Sequence, residues 1–300
     1  VERRYQIYDV FTDKALAGNP LAIVIDADGL ETSQMQAIAR EFNLSETVFI
    51  LSADNPAHSA RARIFTPFSE LPFAGHPTVG AAVCLASARF GGQPSGQDAV
   101  VVLEEGIGPV RCGVKLSEQA GFAEFDCPKL PVEMGPAREI DEIAAACGLT
   151  TGELLFENHK PTVWSAGLPF HFVPVQDRAA LAAVDPAHPA WAETFSQDGV
   201  YLYCRDPEAR DNHFRARMLA PSLGIAEDPA TGSAAAAFAG QLLKFDQLPD
   251  GDHAVRIEQG FEMSRPSIIR LEVSVTRSAI TAVRIGGSAV KVMEGFLQVG

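Results

Sequence analysis

A short series of motifs runs through this chain twice in the same order, and that duplication restricts the fold more than any other feature. Gly18-Asn19-Pro20-Leu21 is echoed by Gly167-Leu168-Pro169-Phe170, each opening an apolar run. The run Thr47–Leu51 is echoed by Val200–Cys204, and Arg61-Ala62-Arg63 by Arg215-Ala216-Arg217. Pro67 and Pro221 each stand six residues beyond the first arginine of their block. Each block then passes through a Pro/Thr/Gly turn into an alanine-rich helix, Val79–Ala88 in the first and Ser233–Phe245 in the second. A single match could be chance, but the shared order marks an internal repeat.

Both helices are apolar on every side, and such a helix is buried on every side. Two halves, each with several strands and one buried helix, predict an α+β chain of two pseudo-symmetric domains. In each, a strongly bent, barrel-like sheet wraps a central helix. The helix N-termini are expected to face a shared ligand cleft, since domain interfaces are a common place for pockets. The length of 300 residues suits two domains at roughly 150 each. The expected division is 1–117, with 289–300 returning to it, and 118–288.

Local patterns fill in this frame. Tyr5–Phe11 and Leu21–Ile25 read as strands, and Met35, Ile38, Ala39 and Phe42 recur as one face of a helix capped by Asn43. Glu46 then stands where that helix exit enters a strand. Pro77 suits a first helical turn, where its missing N–H does no harm.

Composition excludes several classes of function. With 47% hydrophobic and 21% charged residues the chain has material for real cores. No apolar run approaches the ~18 residues of a membrane span. The opening VERRYQIYDVF has no signal-peptide core, and without an initiator Met it reads as a trimmed start. The 24 basic and 38 acidic residues give a net charge of −14, which argues against nucleic acid and membrane surfaces as partners. The five cysteines show no CxxC spacing and the seven histidines no HxxxH or HExxH pattern, so neither a disulfide framework nor a metal is expected. No GxGxxG or GxxxxGK[ST] loop calls for a nucleotide or nicotinamide. The expectation is a reduced, cytoplasmic protein that works on a small molecule without a cofactor.

Three constellations could carry chemistry. In Gly75-His76-Pro77-Thr78, Gly75 permits close backbone approach, the helix-end amides suit a carboxylate, and His76 can donate or shuttle a proton. A turn capped by a histidine would read the same way. In Glu227-Asp228-Pro229-Ala230-Thr231-Gly232-Ser233, the hydroxyls and amides of Thr231, Gly232 and Ser233 suit an anion, while Asp228 is equally a helix cap. In Asn43-Leu44-Ser45-Glu46-Thr47, Glu46 beside an apolar strand has the desolvated setting of a general base, though an exposed strand-end glutamate looks alike. The matching place near Gln197-Asp198-Gly199 has no glutamate in register, so the acid/base apparatus is expected on one side only. Arg61, Arg63, Arg215 and Arg217 read as salt-bridge partners, and Cys84 as an inert core thiol.

Three separated segments resemble one family. Asn43–Phe49 (NLSETVF), Arg63–Gly80 (RIFTPFSELPFAGHPTVG) and Glu227–Ala234 (EDPATGSA) are similar to the PhzF-like phenazine-biosynthesis family, and the likeness extends over essentially the whole chain. The resemblance implies the diaminopimelate epimerase-like fold and cofactor-free isomerisation by proton transfer. It places the proton-transferring glutamate at Glu46, with His76 and Asp228 as its catalytic companions. Ser45, Gly75, Thr231, Gly232 and Ser233 would bind the substrate's carboxylate or neighbouring polar groups. A homodimer is implied in the same way. Racemases of the wider superfamily carry two cysteines just before these helices. Here those places hold Ala74 and either Ala230 or Thr231, which disfavours a two-thiol mechanism. An epimerase using Glu46 with another acid, and a non-catalytic small-molecule binding protein, are the alternative readings.

Overall fold

The computed structural model describes residues 1–92, 96–196 and 198–300. The chain divides into two compact units, Val1–Pro128 with Gly286–Gly300, and Lys129–Ile285.

The first unit contains β1 (Glu2–Val10), β2 (Asn19–Val24), α1 (Thr32–Phe42), β3 (Glu46–Leu51), β4 (Ala60–Phe65), β5 (Glu70–Leu71), α2 (Gly75–Arg89), β6 (Gln97–Glu105), β7 (Gly108–Leu116) and β8 (Gly121–Asp126). The segment 118–128, expected with the second unit, supplies β8, which hairpins with β7. The second unit contains β9 (Val132–Gly135), α3 (Ile140–Cys147), β10 (Thr162–Ser165), β11 (Pro169–Pro174), α4 (Arg178–Ala183), α5 (Trp191–Phe195), β12 (Gly199–Cys204), β13 (Phe214–Ala220), β14 (Ile225–Asp228), α6 (Gly232–Phe245), β15 (Gly251–Gln259) and β16 (Ser267–Thr276). The last strand, β17 (Ala279–Gln298), begins in the second unit and ends in the first.

In the first unit the ladder runs β1-β2-β3-β4-β6-β7-β8. The returning β17 pairs with both β8 and β1, which closes an eight-stranded barrel and leaves no free edge. Helix α2 runs inside it, against β1, β2, β3, β6, β7 and β8. Its small residues permit this. A Cβ on Gly80 would lie 2.5 Å from Leu21 and 2.9 Å from Val10. Helix α1 lies outside and buries Met35, Ile38 and Ala39, with Asn43 as its left-handed C-cap at φ 51°.

The second unit repeats the pairing order as β10-β11-β12-β13-β15-β16, with the parallel pairs falling in the same places. Register makes the equivalence residue by residue. Leu21 pairs with Glu46 as Phe170 pairs with Gly199, and Arg61 pairs with Glu104 as Arg215 pairs with Glu258. Helix α6 packs against β9, β10, β11 and β16 with every residue from Ala234 to Leu242 buried. Its one polar intruder, Gln241, donates to Tyr203 Oη at 2.7 Å and to Lys160 O at 2.9 Å. A buried amide is tolerated there because it is satisfied.

The arginines are structural, as the sequence suggested. Arg63 makes a bidentate pair with Glu70 at 2.7 Å and 2.7 Å. Arg217 does the same with Glu227 at 2.9 Å and 2.9 Å. All five cysteines are free thiols, and burial pushes the Cys84 thiol up to about 11.

Candidate active site

Glu46 owes its position to one neighbour in sequence and one across the sheet. The left-handed Asn43 ends α1, and the parallel partner Leu21 of β2 sets where β3 begins, with Glu46 as its first residue. Ser45 precedes it, half-buried. His76 comes from the other side of the barrel end. The structure starts α2 four residues before the expected Val79, with Ala74 as N-cap and Gly75 and His76 as the first two helical residues. His76 is therefore not the cap of a turn, and it lies inside the first helical turn.

These two predicted residues meet. His76 Nε2 lies 3.3 Å from Glu46 Oε2, with side-chain exposures of 5% and 15%. Burial pushes the His76 pKa down to about 3, so the imidazole is neutral at physiological pH. The tautomer follows from a residue the motifs did not single out. Asn19, fully buried at the start of β2, places Nδ2 3.4 Å from His76 Nδ1. With the Asn19 amide donating, Nδ1 accepts and the proton resides on Nε2, facing the Glu46 carboxylate. The 3.3 Å approach lacks good hydrogen-bond alignment, as is common for catalytic contacts before substrate arrives. Asn19 in turn depends on Gly18. At φ +66° a Cβ there would sit 2.3 Å from Val10 O. The repeated Gly-x-Pro motif that opens each apolar run is the sequence signal for this corner.

The second unit brings together a different set. Asp228 is the last residue of β14 and Thr231, not Asp228, is the N-cap of α6. Thr231 Oγ1 donates to Asp228 Oδ2 at 2.5 Å. Gln259, fully buried, donates from Nε2 to Asp228 O at 2.7 Å and to Thr231 Oγ1 at 3.0 Å, and accepts from Thr231 N at 3.2 Å. Gly232 is buried and Ser233 half-buried in the first turn. Ala235 N bonds Thr231 O at 3.0 Å, so the amides of Gly232, Ser233 and Ala234 before it have no intrahelical acceptor. Gln259 was missed by motif reading, although extending the repeat from Leu103-Glu104-Glu105-Gly106 to Ile257-Glu258-Gln259-Gly260 would have found it.

The N-cap positions of the two central helices are thus Ala74 and Thr231, so neither carries a thiol. At the place equivalent to Glu46 stands Gly199, whose added Cβ would lie 2.8 Å from the Phe170 ring. Gln197 lies outside the described residues. One further cluster of ligating groups, Glu157, His159 and Asp246, is occupied by an arginine. Arg205 NH2 lies 2.6 Å from Asp246 Oδ1 and 3.3 Å from His159 Nε2.

The first unit thus sets a carboxylate and a neutral imidazole together at the end of a closed barrel around a buried helix. Comparison with known proteins supplies the assignment. The family profile described as phenazine biosynthesis-like protein matches residues 8–295. An uncharacterized isomerase of Mesorhizobium japonicum is 50% identical, with 98% of each chain covered. The trans-2,3-dihydro-3-hydroxyanthranilate isomerase of Pseudomonas aeruginosa is 34% identical, covering 97% of this chain and 98% of its own. The crystal structure of a Bacillus anthracis phenazine biosynthesis protein of the PhzF family superposes with a TM-score of 0.88 at 25% identity, covering 100% of both chains. A probable proline racemase of Agrobacterium radiobacter shares the fold at a TM-score of 0.64. This chain belongs to the PhzF-like phenazine-biosynthesis family, and it is an isomerase. Among the described residues no helix is long and apolar enough to cross a membrane.

Proposed function

We propose that the chain moves a proton within a small carboxylate-bearing substrate, with Glu46 as the base that removes it from one carbon and the acid that returns it to another. The observation that carries this reading is the pairing of Glu46 with a neutral, tautomer-fixed His76 in a nearly dry corner. A carboxylate there is stripped of most of its water and has one mobile proton to exchange. As the substrate C–H bond breaks, its electron pair enters the conjugated system and the double bonds shift. The proton then returns from Glu46 to the carbon where the charge has moved. The His76 Nε2–H offers a hydrogen bond to a substrate oxygen or to Glu46 as charge develops.

At the start of α2 the backbone N–H groups of Gly75 and His76 suit a substrate carboxylate, since Pro77 has none and Thr78 N is taken by Ala74 O at 3.2 Å. To Asp228, Thr231, Gly232 and Ser233 we assign binding of polar groups, with Asp228 held in place by Thr231 and by the Gln259 contacts around it. No step in this scheme calls for a cofactor.

The relatives named above supply the first substrate to try, trans-2,3-dihydro-3-hydroxyanthranilate, followed by a panel of cyclic and acyclic unsaturated carboxylates. In D2O, product should carry deuterium at the carbon that receives the proton. Glu46→Gln should abolish this while retaining the fold. Inversion at a single labelled carbon would instead establish an epimerase. Normal turnover by Glu46→Gln would remove Glu46 from the chemistry.

A further inference from the structure

Glu105, the last residue of β6, is a buried carboxyl group that the proposed mechanism does not use. It is 8% exposed and no ion pair reaches it among the described residues. Its Oε2 has no hydrogen-bond partner, and its Oε1 lies 2.8 Å from Thr78 Oγ1. That same hydroxyl lies 2.8 Å from Ala74 O, the N-cap carbonyl of α2. Thr78 has one hydroxyl proton for these two oxygens. If it goes to Ala74 O, Glu105 must bring its own proton to Thr78. If it goes to Glu105, an ionised carboxylate sits buried with one hydrogen bond and no cation, which is costly.

The second unit shows which arrangement this corner is built for. Gln259 is the structural equivalent of Glu105, one residue beyond Glu258 where Glu105 is one beyond Glu104. Each is followed by a glycine packed on a proline. An added Cβ would lie 2.8 Å from Pro72 at Gly106 and 2.5 Å from Pro229 at Gly260. Gln259 Nε2, necessarily a donor, gives its hydrogen to the Thr231 hydroxyl at 3.0 Å, which passes its own to Asp228. The relay is donor, hydroxyl, acceptor. A glutamate fills the donor's place only with its proton on.

We infer that Glu105 acts as a buried hydrogen-bond donor, a neutral carboxylic acid that positions the first turn of α2 and, through it, His76. It is a positioning residue, since it acts through Thr78 and Ala74, the residues that bracket Gly75 and His76. Its surroundings support the neutral form. Burial pushes the Glu105 carboxyl up to about 8. From β7 it faces Cys112, whose thiol burial pushes up, so that it too is neutral. From α2 it faces Thr78 at 2.8 Å. On the outer side a cavity of about 330 Å³ carries Arg61, Arg63, Glu70, Glu104 and Asp54. The two arginines there are engaged by Asp54 at 3.4 Å and Glu70 at 2.7 Å.

This inference builds on the proposed role of His76, and its test is read without turnover as well as with it. The full chain is labelled with [δ-13C]glutamate and with 15N-histidine, and titrated from pH 4 to pH 10 alongside Glu105→Gln. One carboxyl signal, missing in Glu105→Gln, should titrate near pH 8. The His76 ring nitrogens should shift over the same range in the wild type and stay flat in the variant. Turnover of Glu105→Gln should stay within about threefold of wild type at neutral pH and lose any decline around pH 8, while Glu105→Ala should lose about tenfold in kcat with KM nearly kept. A Glu105 signal titrating near the ordinary 4.5 overturns the inference, as does a His76 signal indifferent to it. Should Glu46→Gln remain active while the Glu105 and His76 signals move together, the catalytic reading fails alone.

Discussion

The two central helices are held by the same framework and differ at the few positions that form the candidate site. In both units the pairing order is the same, an arginine on the fourth shared strand pairs in register with a glutamate, and a bidentate Arg–Glu pair fixes the segment entering the helix. Glu104 accepts from Asp54 N and Asn55 N as Glu258 accepts from Glu208 N and Ala209 N. Yet Glu46 answers to Gly199, Asn19 to Leu168 and His76 to Ser233. The duplicated parts are those that solve a general problem, namely burying an apolar helix in a barrel and tying down its N-terminal loop. The unduplicated ones are the residues to which the proposed proton transfer is assigned. On that proposal, one carboxylate that gives and takes a proton needs no counterpart in the second unit.

The strongest way to break this comparison is at Glu46. Glu46→Gln should lower kcat about 10²–10⁴-fold, the usual contribution of a positioned acid/base, with binding of a product analogue nearly kept. The reciprocal Gly199→Glu should not create a second base. With the Phe170 ring 2.8 Å from the new Cβ, it should destabilise the chain by about 1–3 kcal/mol in urea unfolding.

The shared arginines test the framework. Arg217 is 8% exposed, is bound to Glu227, and also donates to Leu181 O and Val184 O. Arg217→Ala leaves Glu227 buried without its cation and should cost about 3–5 kcal/mol. Arg63 and Glu70 are 22% and 38% exposed, so Arg63→Ala should cost only about 1 kcal/mol although this pair is bidentate too. Equal losses would show that burial does not distinguish the two units.

Protonation sharpens the contrast between Glu105 and Gln259. Below pH 4.5 the Glu105 side chain holds a proton in both folded and unfolded chains, and between 4.5 and about 8 only the folded chain holds it. Wild-type stability should therefore fall with rising pH across that window, relative to Glu105→Gln, by on the order of a few kcal/mol, and level off above it. His76 works in the opposite direction. Its folded pKa near 3 lies under the ordinary 6.5, so its contribution is lost as pH falls from 6.5 toward 3. Urea unfolding at a series of pH values separates the two slopes. The smallest effect is expected at Asn19. Asn19→Ala frees the His76 tautomer and should lower kcat about tenfold with KM little changed.

Much of this was legible from the chain alone, because it rests on local pattern. The repeat, the two buried helices, the left-handed Asn43 cap, the ion-paired arginines and the one-sided glutamate all follow from residue spacing and apolarity, which the backbone must obey wherever it folds. The motifs also placed Glu46 and His76 on a short list. What spacing could not supply is which distant side chains share a dry corner. That Asn19 reads the far nitrogen of His76, and that Glu105 competes with Ala74 for one hydroxyl proton, depend on barrel closure. Closure brings strand ends remote in sequence to within hydrogen-bond distance and removes the water that would otherwise satisfy them. Sequence therefore determined the scaffold and the short list of candidate site residues, while tertiary structure decided tautomer, protonation and partners, because those depend on desolvation and on contacts between remote segments.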